Sequence, residues 1–203
     1  MDEATETFLR KRARRAADPT SGISDSFTVR LVSRFRRGHD STKACNDAAL
    51  TRFNDSCRLL AAARQLSPDS VKSLSDCIDP QNYAVVLGAA KSVTGFDAAT
   101  HRVENPGTVD RLLALLRDAV SLKREETATA SAFSEGSKRE VRKQCCHFDD
   151  LLSSAWPVDI GRHAQLTTLQ RRFSNPPEIP VSADVHALFR EATSMVARST
   201  ALL

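Results

Sequence analysis

The stretch "TVDRLLALLRDAVSLKREE", Thr108–Glu126, indicates the fold more clearly than any other part of the sequence. Its apolar residues recur at spacings of three and four, as they do on one side of an α-helix. The predicted apolar face comprises Val109, Leu112, Leu113, Leu116, Val120 and either Leu122 or Lys123. The stretch therefore predicts an amphipathic helix with a wide face turned toward a core.

Helices are also predicted on the N-terminal side of this stretch. In "SFTVRLVSRFRRGHD", Phe27, Leu31 and Phe35 recur at four-residue steps, and a second stripe runs through residues 49–60. Ser67, followed by a proline and an acid, predicts the cap of a further helix. Asp79 and Pro80 predict the next start, and Gly95 the stop of that helix.

On the C-terminal side, "KREVRKQCCHFDDLLSSAW" and "GRHAQLTTLQRRF" predict two more helices, and a last one begins near Ala183. Aromatic residues make up only 5% of the 203 residues, and Ala, Leu, Arg and Ser dominate, which favours helices over sheets. We therefore expect an all-α fold, an irregular bundle of about seven to nine helices. Residues 1–25 are expected to be a flexible basic arm. Residues 26–203 are expected to form a helical domain, as one body or as two lobes divided near 127–137.

The stretch "KQCCHFDD", Lys143–Asp150, brings two thiols, an imidazole and two carboxylates together. Successive helical residues are about 100° apart, so Cys145 and Cys146 point in different directions. Cys145 falls in a core stripe with Val141, Phe148, Leu152 and Ala155, where a free cysteine behaves as a small hydrophobe. A metal or thiol site at Cys146, His147 and Asp150 is the alternative, but zinc sites use about four organised ligands. We therefore predict no metal.

No catalytic pattern is found in the sequence. The five histidines are scattered, and the sequence has no GxSxG, P-loop, GxGxxG or HExxH motif. A tyrosine recombinase needs a nucleophilic tyrosine and an HxxR pair, yet Tyr83 is the only tyrosine and no HxxR occurs. The interpretation is a protein that is not an enzyme, with no cofactor and no evident small-molecule substrate.

Positive charge is concentrated locally, although the net charge is only +4. In "RKRARR", Arg10–Arg15, five of six residues are cationic, a pattern typical of nuclear import signals or phosphate contacts, and equally of a solvated tail. The predicted nucleic-acid-binding residues are Arg10, Lys11, Arg12, Arg14, Arg15, Arg30, Arg34, Arg36 and Arg37. A third cluster comprises Lys138, Arg139, Arg142 and Lys143, to which Arg171 and Arg172 would add if the fold brought them near.

The order of several segments resembles that of a poorly characterised, multi-copy family of animal proteins that looks mobile-element-derived. The matching segments are "PQNYAVVLGAAKSVTGFDAATHRVENPGTVDRLLALLRDAVSLK", "LLSSAW" and "LTTLQRRFSNPPEIPVSADVHALF". The motifs they carry are Gly95-Phe96-Asp97, Asn105-Pro106, Trp156 and Asn175-Pro176 through Asp184. The resemblance covers about residues 67–189, implies nucleic-acid work and supplies no catalytic residues.

Together these features predict a non-enzymatic, DNA-associated helical module of mobile-element origin that contacts phosphates through its arginine-rich N-terminal segments. The alternative is a helical scaffold that binds other proteins and has no nucleic-acid role. No run of apolar residues reaches the roughly 18 needed to span a bilayer, so no membrane partner is expected. The N-terminus does not have the order of a secretory signal, and the five cysteines show no disulfide framework. We therefore expect the nucleus, or alternatively the cytoplasm.

Overall fold

The structure of the chain, a computed structural model, describes residues 5, 7–9, 25–37, 42–131, 133–174, 186 and 188–192. Its helices are α1 (Ser26–Arg37), α2 (Lys43–Leu66), α3 (Tyr83–Thr94), α4 (Pro106–Thr129), α5 (Glu135–Ser154) and α6 (Arg162–Ser174). Short 3-10 turns occupy Asp76–Ile78 and Pro80–Asn82, and a π-helical turn occupies Pro157–Gly161. Residues 7–9 and 188–192 are also helical.

Strands are minimal in the part of the chain that the structure describes. β1 (Phe96–Asp97) and β2 (Arg102–Val103) pair antiparallel, with Phe96 opposite Val103. They lie inside the segment that connects α3 to α4. The prediction of an all-α, multi-helix fold is confirmed.

Helix α4 lies at the centre of the main core and packs against α2, α3 and α5. Leu112, Leu115, Leu116 and Ala119 are fully buried there. Leu115 lies outside the apolar face that the sequence predicts. It is nevertheless buried, because α4 is covered by neighbours on more than one side. Lys123 is half-buried and donates a hydrogen bond from Nζ to the Ser75 carbonyl oxygen, at 2.9 Å.

At two positions, a capping residue begins or ends a helix where the sequence predicts it. Asp79 accepts a hydrogen bond from the Gln81 amide at 3.0 Å, at the turn that leads into α3. Gly95 ends α3 with a φ of 66°, the left-handed conformation that favours glycine. A Cβ at this position would also lie 2.7 Å from the Cβ of Glu104, so a larger residue does not fit.

The prediction that a helix starts at Ser67 is wrong. The Ser67 amide donates to the Ala63 carbonyl at 2.9 Å, so this residue ends α2, and turns follow it. The carboxylate of Asp76 accepts hydrogen bonds from the amides of Lys72 and Ser73, at 2.9 and 2.8 Å. Side chains that satisfy the backbone in this way compete with helix formation.

The segment predicted as a loop or lobe boundary, 127–137, is partly helical. α4 continues to Thr129, where the Thr127 and Thr129 hydroxyls donate to carbonyls four residues back, at 2.7 and 3.0 Å. Ser134 then caps α5 by accepting from the Ser137 amide. α4 and α5 pack directly against each other on either side of this turn.

A second, smaller apolar cluster joins α1 to α2. Val32, Ala49, Phe53 and Cys57 are buried in it together with Leu9. Leu9 belongs to the predicted basic arm, residues 1–25, in which Thr5 and Asp25 are also buried, Phe8 is half-buried and Thr7 is exposed. The other residues of the arm lie outside the described residues, apart from Thr5, Thr7, Phe8 and Asp25.

The start of α1 is held by Asp25. Its carboxylate is buried and accepts hydrogen bonds from the Phe27 amide, the Thr28 hydroxyl and the Leu74 amide, at 3.2, 2.7 and 3.0 Å. The first two contacts are local capping contacts. The third contact joins α1 to the turn region after α2.

The chain divides into two compact units, Met1–Thr168 and Leu169–Leu203. Almost all of the described core belongs to the first unit. Of the last predicted helix, His186 and residues 188–192 are described and are helical. Within the described residues, no helix combines the length and the apolar character needed to cross a membrane.

Candidate nucleic-acid interface

The predicted binding arginines of α1 do not form one set in the structure. Arg30, Arg34 and Arg37 line a groove of about 780 Å³ between α1 and the C-terminal half of α4. Arg36 lies elsewhere on α1, with its guanidinium 4.4 Å from the centre of the Phe8 ring and hydrogen-bonded to the Thr5 hydroxyl at 2.9 Å. Of the apolar stripe that the sequence predicts, Phe27 and Leu31 are buried and Phe35 is half-buried.

Arg30 is paired with a carboxylate of α4. Its Nε lies 2.6 Å from Glu126 Oε1, and its Nη2 lies 3.3 Å from Oε2, so the contact is bidentate. Its Nη1 also donates to the Ser26 hydroxyl at 3.1 Å. The two charged side chains keep 42% and 36% of their surface exposed, so the pair is solvated.

Arg34 is paired in the same way, one helical turn further along α1. Its Nη2 lies 3.3 Å from Glu125 Oε2 and 3.2 Å from the Ser121 hydroxyl. The C-terminal end of a helix carries partial negative charge, which adds to that of the two glutamates. The acidic end of α4 therefore attracts the arginine face of α1.

Arg37 is the exception in the groove. It is exposed and has no hydrogen-bond or charged partner among the described residues. The five cations of the basic run, Arg10, Lys11, Arg12, Arg14 and Arg15, lie outside the described residues. Of the four predicted binding residues that the structure describes, Arg37 is therefore the one whose charge has no partner among the described residues.

The third basic cluster lies on the outer face of α5. Arg139, Arg142 and Lys143 are exposed, one helical turn apart, on the side opposite the buried Cys145, Phe148 and Leu152. Among the described residues, none of the three has a hydrogen-bond or ion-pair partner. Lys138 differs, since its Nζ lies 3.2 Å from Glu135.

The cysteine-histidine stretch is a helix with two different faces, as the sequence predicts. Cys145 is buried in the core, while Cys146, His147 and Asp150 are exposed. No group of three or more His, Cys, Asp or Glu among the described residues could hold a metal ion. Burial raises the pKa of the Cys145 thiol. Burial, with the Asp76 and Asp25 carboxylates, raises the pKa of the Cys77 thiol to about 12.

Tyr83 is held in a structural contact. Its hydroxyl donates to Asp159 Oδ2 at 3.3 Å, and its ring lies edge-on to that of Phe148. Burial first, and then the Asp159 carboxylate, raises the pKa of this phenol above its usual value. A higher phenol pKa leaves less of the phenolate that a nucleophile requires.

Two of the histidines that are distant in the sequence meet in the structure. The rings of His101 and His163 stack with centroids 5.1 Å apart, and Phe96 lies 5.4 Å from His163. His101 has a φ of 53° and follows a turn in which Asp97 accepts from the Thr100 hydroxyl and the Ala99 amide. These two hydrogen bonds lower the pKa of Asp97.

A buried charge that sequence reasoning missed lies in α2. The side chain of Asp55 is 6% exposed and pairs with Arg111 of α4, Nε to Oδ2 at 2.8 Å. The sequence carries a signal for this burial, because Asp55, Leu59 and Ala63 recur at four-residue steps beside the predicted stripe. Asp55 and Arg111 also line a second cavity, of about 370 Å³, with Phe35 and Arg52.

Comparison of the chain with family models, with curated proteins and with solved structures gives no match. The functional interpretation therefore depends on the chain's own residues.

Proposed function

We propose that the chain is a non-enzymatic helical module that associates with nucleic acid by contacting phosphates. The observation that supports this most directly is the outer face of α5. Arg139, Arg142 and Lys143 are exposed there without an intramolecular partner among the described residues. Cations in this state neutralise phosphates and release counterions without first breaking an ion pair.

The basic run Arg10–Arg15 is the second element of the proposal. It follows directly after Leu9, which is buried against α1 and α2. The origin from a mobile element remains part of the proposal and is supported by motif order alone.

The test uses the purified chain and a short fluorescent duplex of random sequence. We expect binding that weakens steeply with salt, since log affinity falls with log salt by about 0.9 per phosphate contact. The variant Arg139→Gln/Arg142→Gln/Lys143→Gln should make that slope shallower by about 2.7, three contacts' worth. Binding that is equal at low and physiological salt would refute the proposal.

A matched control separates this face from net charge. The variant Lys72→Gln/Arg102→Gln/Arg162→Gln removes the same charge from exposed positions on other elements. It should leave the salt slope close to that of the unmodified chain. Equal effects of the two triple variants would show that no particular face binds.

Location is tested separately. Replacing the cations of Arg10–Arg15 with glutamine in a fluorescent fusion should abolish nuclear accumulation if the run is an import signal. Unchanged nuclear distribution would show that this run is not the signal.

A protein-interaction scaffold is the second candidate, and one observation favours it. In the second unit, Leu169, Phe173, Leu188 and Phe189 are 47–81% exposed. Exposed apolar side chains in this number are typical of surfaces that bind a partner. Absence of any duplex binding, combined with self-association or partner capture lost in Phe173→Ser/Phe189→Ser, would favour the scaffold.

A further inference from the structure

The groove between α1 and α4 has an unusual balance of charge. Three arginines of α1 line one side, and two glutamates of α4 line the other, so two of the three guanidinium groups are already neutralised. Val29 and Leu122 are the buried apolar residues between them. The groove is therefore basic in composition, but most of its positive charge is used internally.

The two arginine–glutamate pairs of the groove have a geometry similar to that of arginine bound to phosphate. Glu126 presents two oxygens to Nε and Nη2 of Arg30, the fork arrangement that guanidinium groups also form with phosphate oxygens. Glu125 occupies Nη2 of Arg34 together with the Ser121 hydroxyl. The carboxylates thus stand at the positions that phosphate oxygens would take.

We propose that this groove is a phosphate-binding surface of the module, masked by Glu125 and Glu126, which a nucleic-acid backbone displaces from Arg30 and Arg34. The inference rests on the proposed function and adds its regulation. Arg37, exposed beside the pairs, makes the first contact.

The pairs are weak enough to be exchanged. Each keeps between about a third and three fifths of its side-chain surface in water, and solvated pairs contribute little to stability. The pair between Arg111 and Asp55 is different, since Asp55 is 6% exposed and cannot leave without uncovering a buried charge. Exchange is therefore expected at the groove and not at Asp55.

One further polar group lies at the groove. Ser33 is among the lining residues, and its hydroxyl oxygen is buried and has no hydrogen-bond partner among the described residues. Buried hydroxyl groups are usually hydrogen-bonded. An oxyanion in the groove would give this hydroxyl an acceptor once the Ser33 side chain turned toward it.

The test removes the mask without removing the arginines. In Glu125→Gln/Glu126→Gln, affinity for the random duplex should rise about tenfold, because no carboxylate then has to be displaced from the two arginines. The control Asp69→Asn/Asp110→Asn changes the net charge equally at exposed positions on other parts of the first unit. It should raise affinity less than about threefold and leave the slope unchanged.

A second comparison identifies the arginines. Arg30→Gln/Arg34→Gln should weaken binding more in the Glu125→Gln/Glu126→Gln background than in the unmodified chain, because only there are both guanidinium groups free. Equal losses in the two backgrounds would overturn the inference. Thermal unfolding of each variant checks that the helices remain folded.

The outcomes separate the two proposals. If the unmodified chain binds and the glutamine variant binds no better than its charge-matched control, the masking is refuted and the proposed function stands. If the unmodified chain and every variant fail to bind duplex, the proposed function fails, and the inference fails with it.

Discussion

Helices α1 and α5 carry similar clusters of positive charge, yet their cations have different surroundings. In α1, Arg30 and Arg34 point at the acidic end of α4 and are paired with it. In α5, Arg139, Arg142 and Lys143 face away from the core and have no partner among the described residues. Both helices bury an apolar stripe of similar spacing. Local charge density therefore does not decide which cations are available to a ligand. The charge of the neighbouring helix decides it.

The largest expected effect concerns the inner face of α5. Phe148 is fully buried in the main core, so Phe148→Ala should lower the free energy of unfolding by about 3–5 kcal/mol. Denaturant unfolding followed by circular dichroism measures it. A loss below about 1 kcal/mol would mean that α5 does not pack on the core by this face, and the contrast between its two faces would disappear.

The neighbouring thiols of α5 sharpen the same contrast. Cys146 is exposed and Cys145 is buried with a raised pKa, so a thiol reagent near pH 8 should modify Cys146 at least about a hundredfold faster, equivalent to about 2.7 kcal/mol. Because thiolate is the reactive form and the pKa of Cys145 is raised, the rate at Cys145 should still be increasing at pH values above the ordinary range of a thiol.

Two matched variants assign the labelling rates. Cys146→Ala should remove the fast phase, and Cys145→Ala should leave it. The reverse assignment by mass spectrometry would show that the inner and outer faces of α5 have been exchanged.

A smaller effect is expected at the pairs that neutralise α1. A double-mutant cycle with Arg30→Ala and Glu126→Ala should give a coupling of about 0.2–1 kcal/mol, since both side chains are solvated. The cycle with Arg111→Ala and Asp55→Ala should give a larger coupling, because Asp55 is buried. Equal couplings would contradict the distinction between exchangeable and fixed pairs.

The smallest effect is expected at the outer face of α5. Arg139→Gln/Arg142→Gln should change the free energy of unfolding by no more than about 0.5 kcal/mol, as for other surface substitutions without partners. A loss above about 1 kcal/mol in chemical denaturation would show that these cations have an intramolecular role, as those of α1 do.

Much of the fold could be predicted because its helices have regular apolar spacing. α4 and the core position of Cys145 follow from that spacing alone, and α3 also from its capping residues. The segment after Ser67 could not be predicted in the same way. Ser67 and Asp76 do make hydrogen bonds of the kind that cap helices. Here those bonds end α2 and hold the turns that follow it, so no new helix begins.

The state of the candidate site could be predicted less well. The sequence correctly places Arg30, Arg34 and Arg37 on one face of α1, apart from the apolar stripe. It cannot show that Arg30 meets Glu126, because those residues are 96 positions apart and the contact depends on how α1 crosses α4. On α5, helical geometry alone separates the basic face from the core, so that part was predictable.

The carboxylate of Asp25 has a consequence for the way in which the chain folds. It accepts a hydrogen bond from the Phe27 amide at the start of α1 and, with the oxygen that also accepts from the Thr28 hydroxyl, one from the amide of Leu74, which is 49 residues away. Initiation of the first long helix and closure of a distant segment therefore share one acceptor. The two should form and open as a single cooperative unit, with the amides of Phe27 and Leu74 exchanging their hydrogens together.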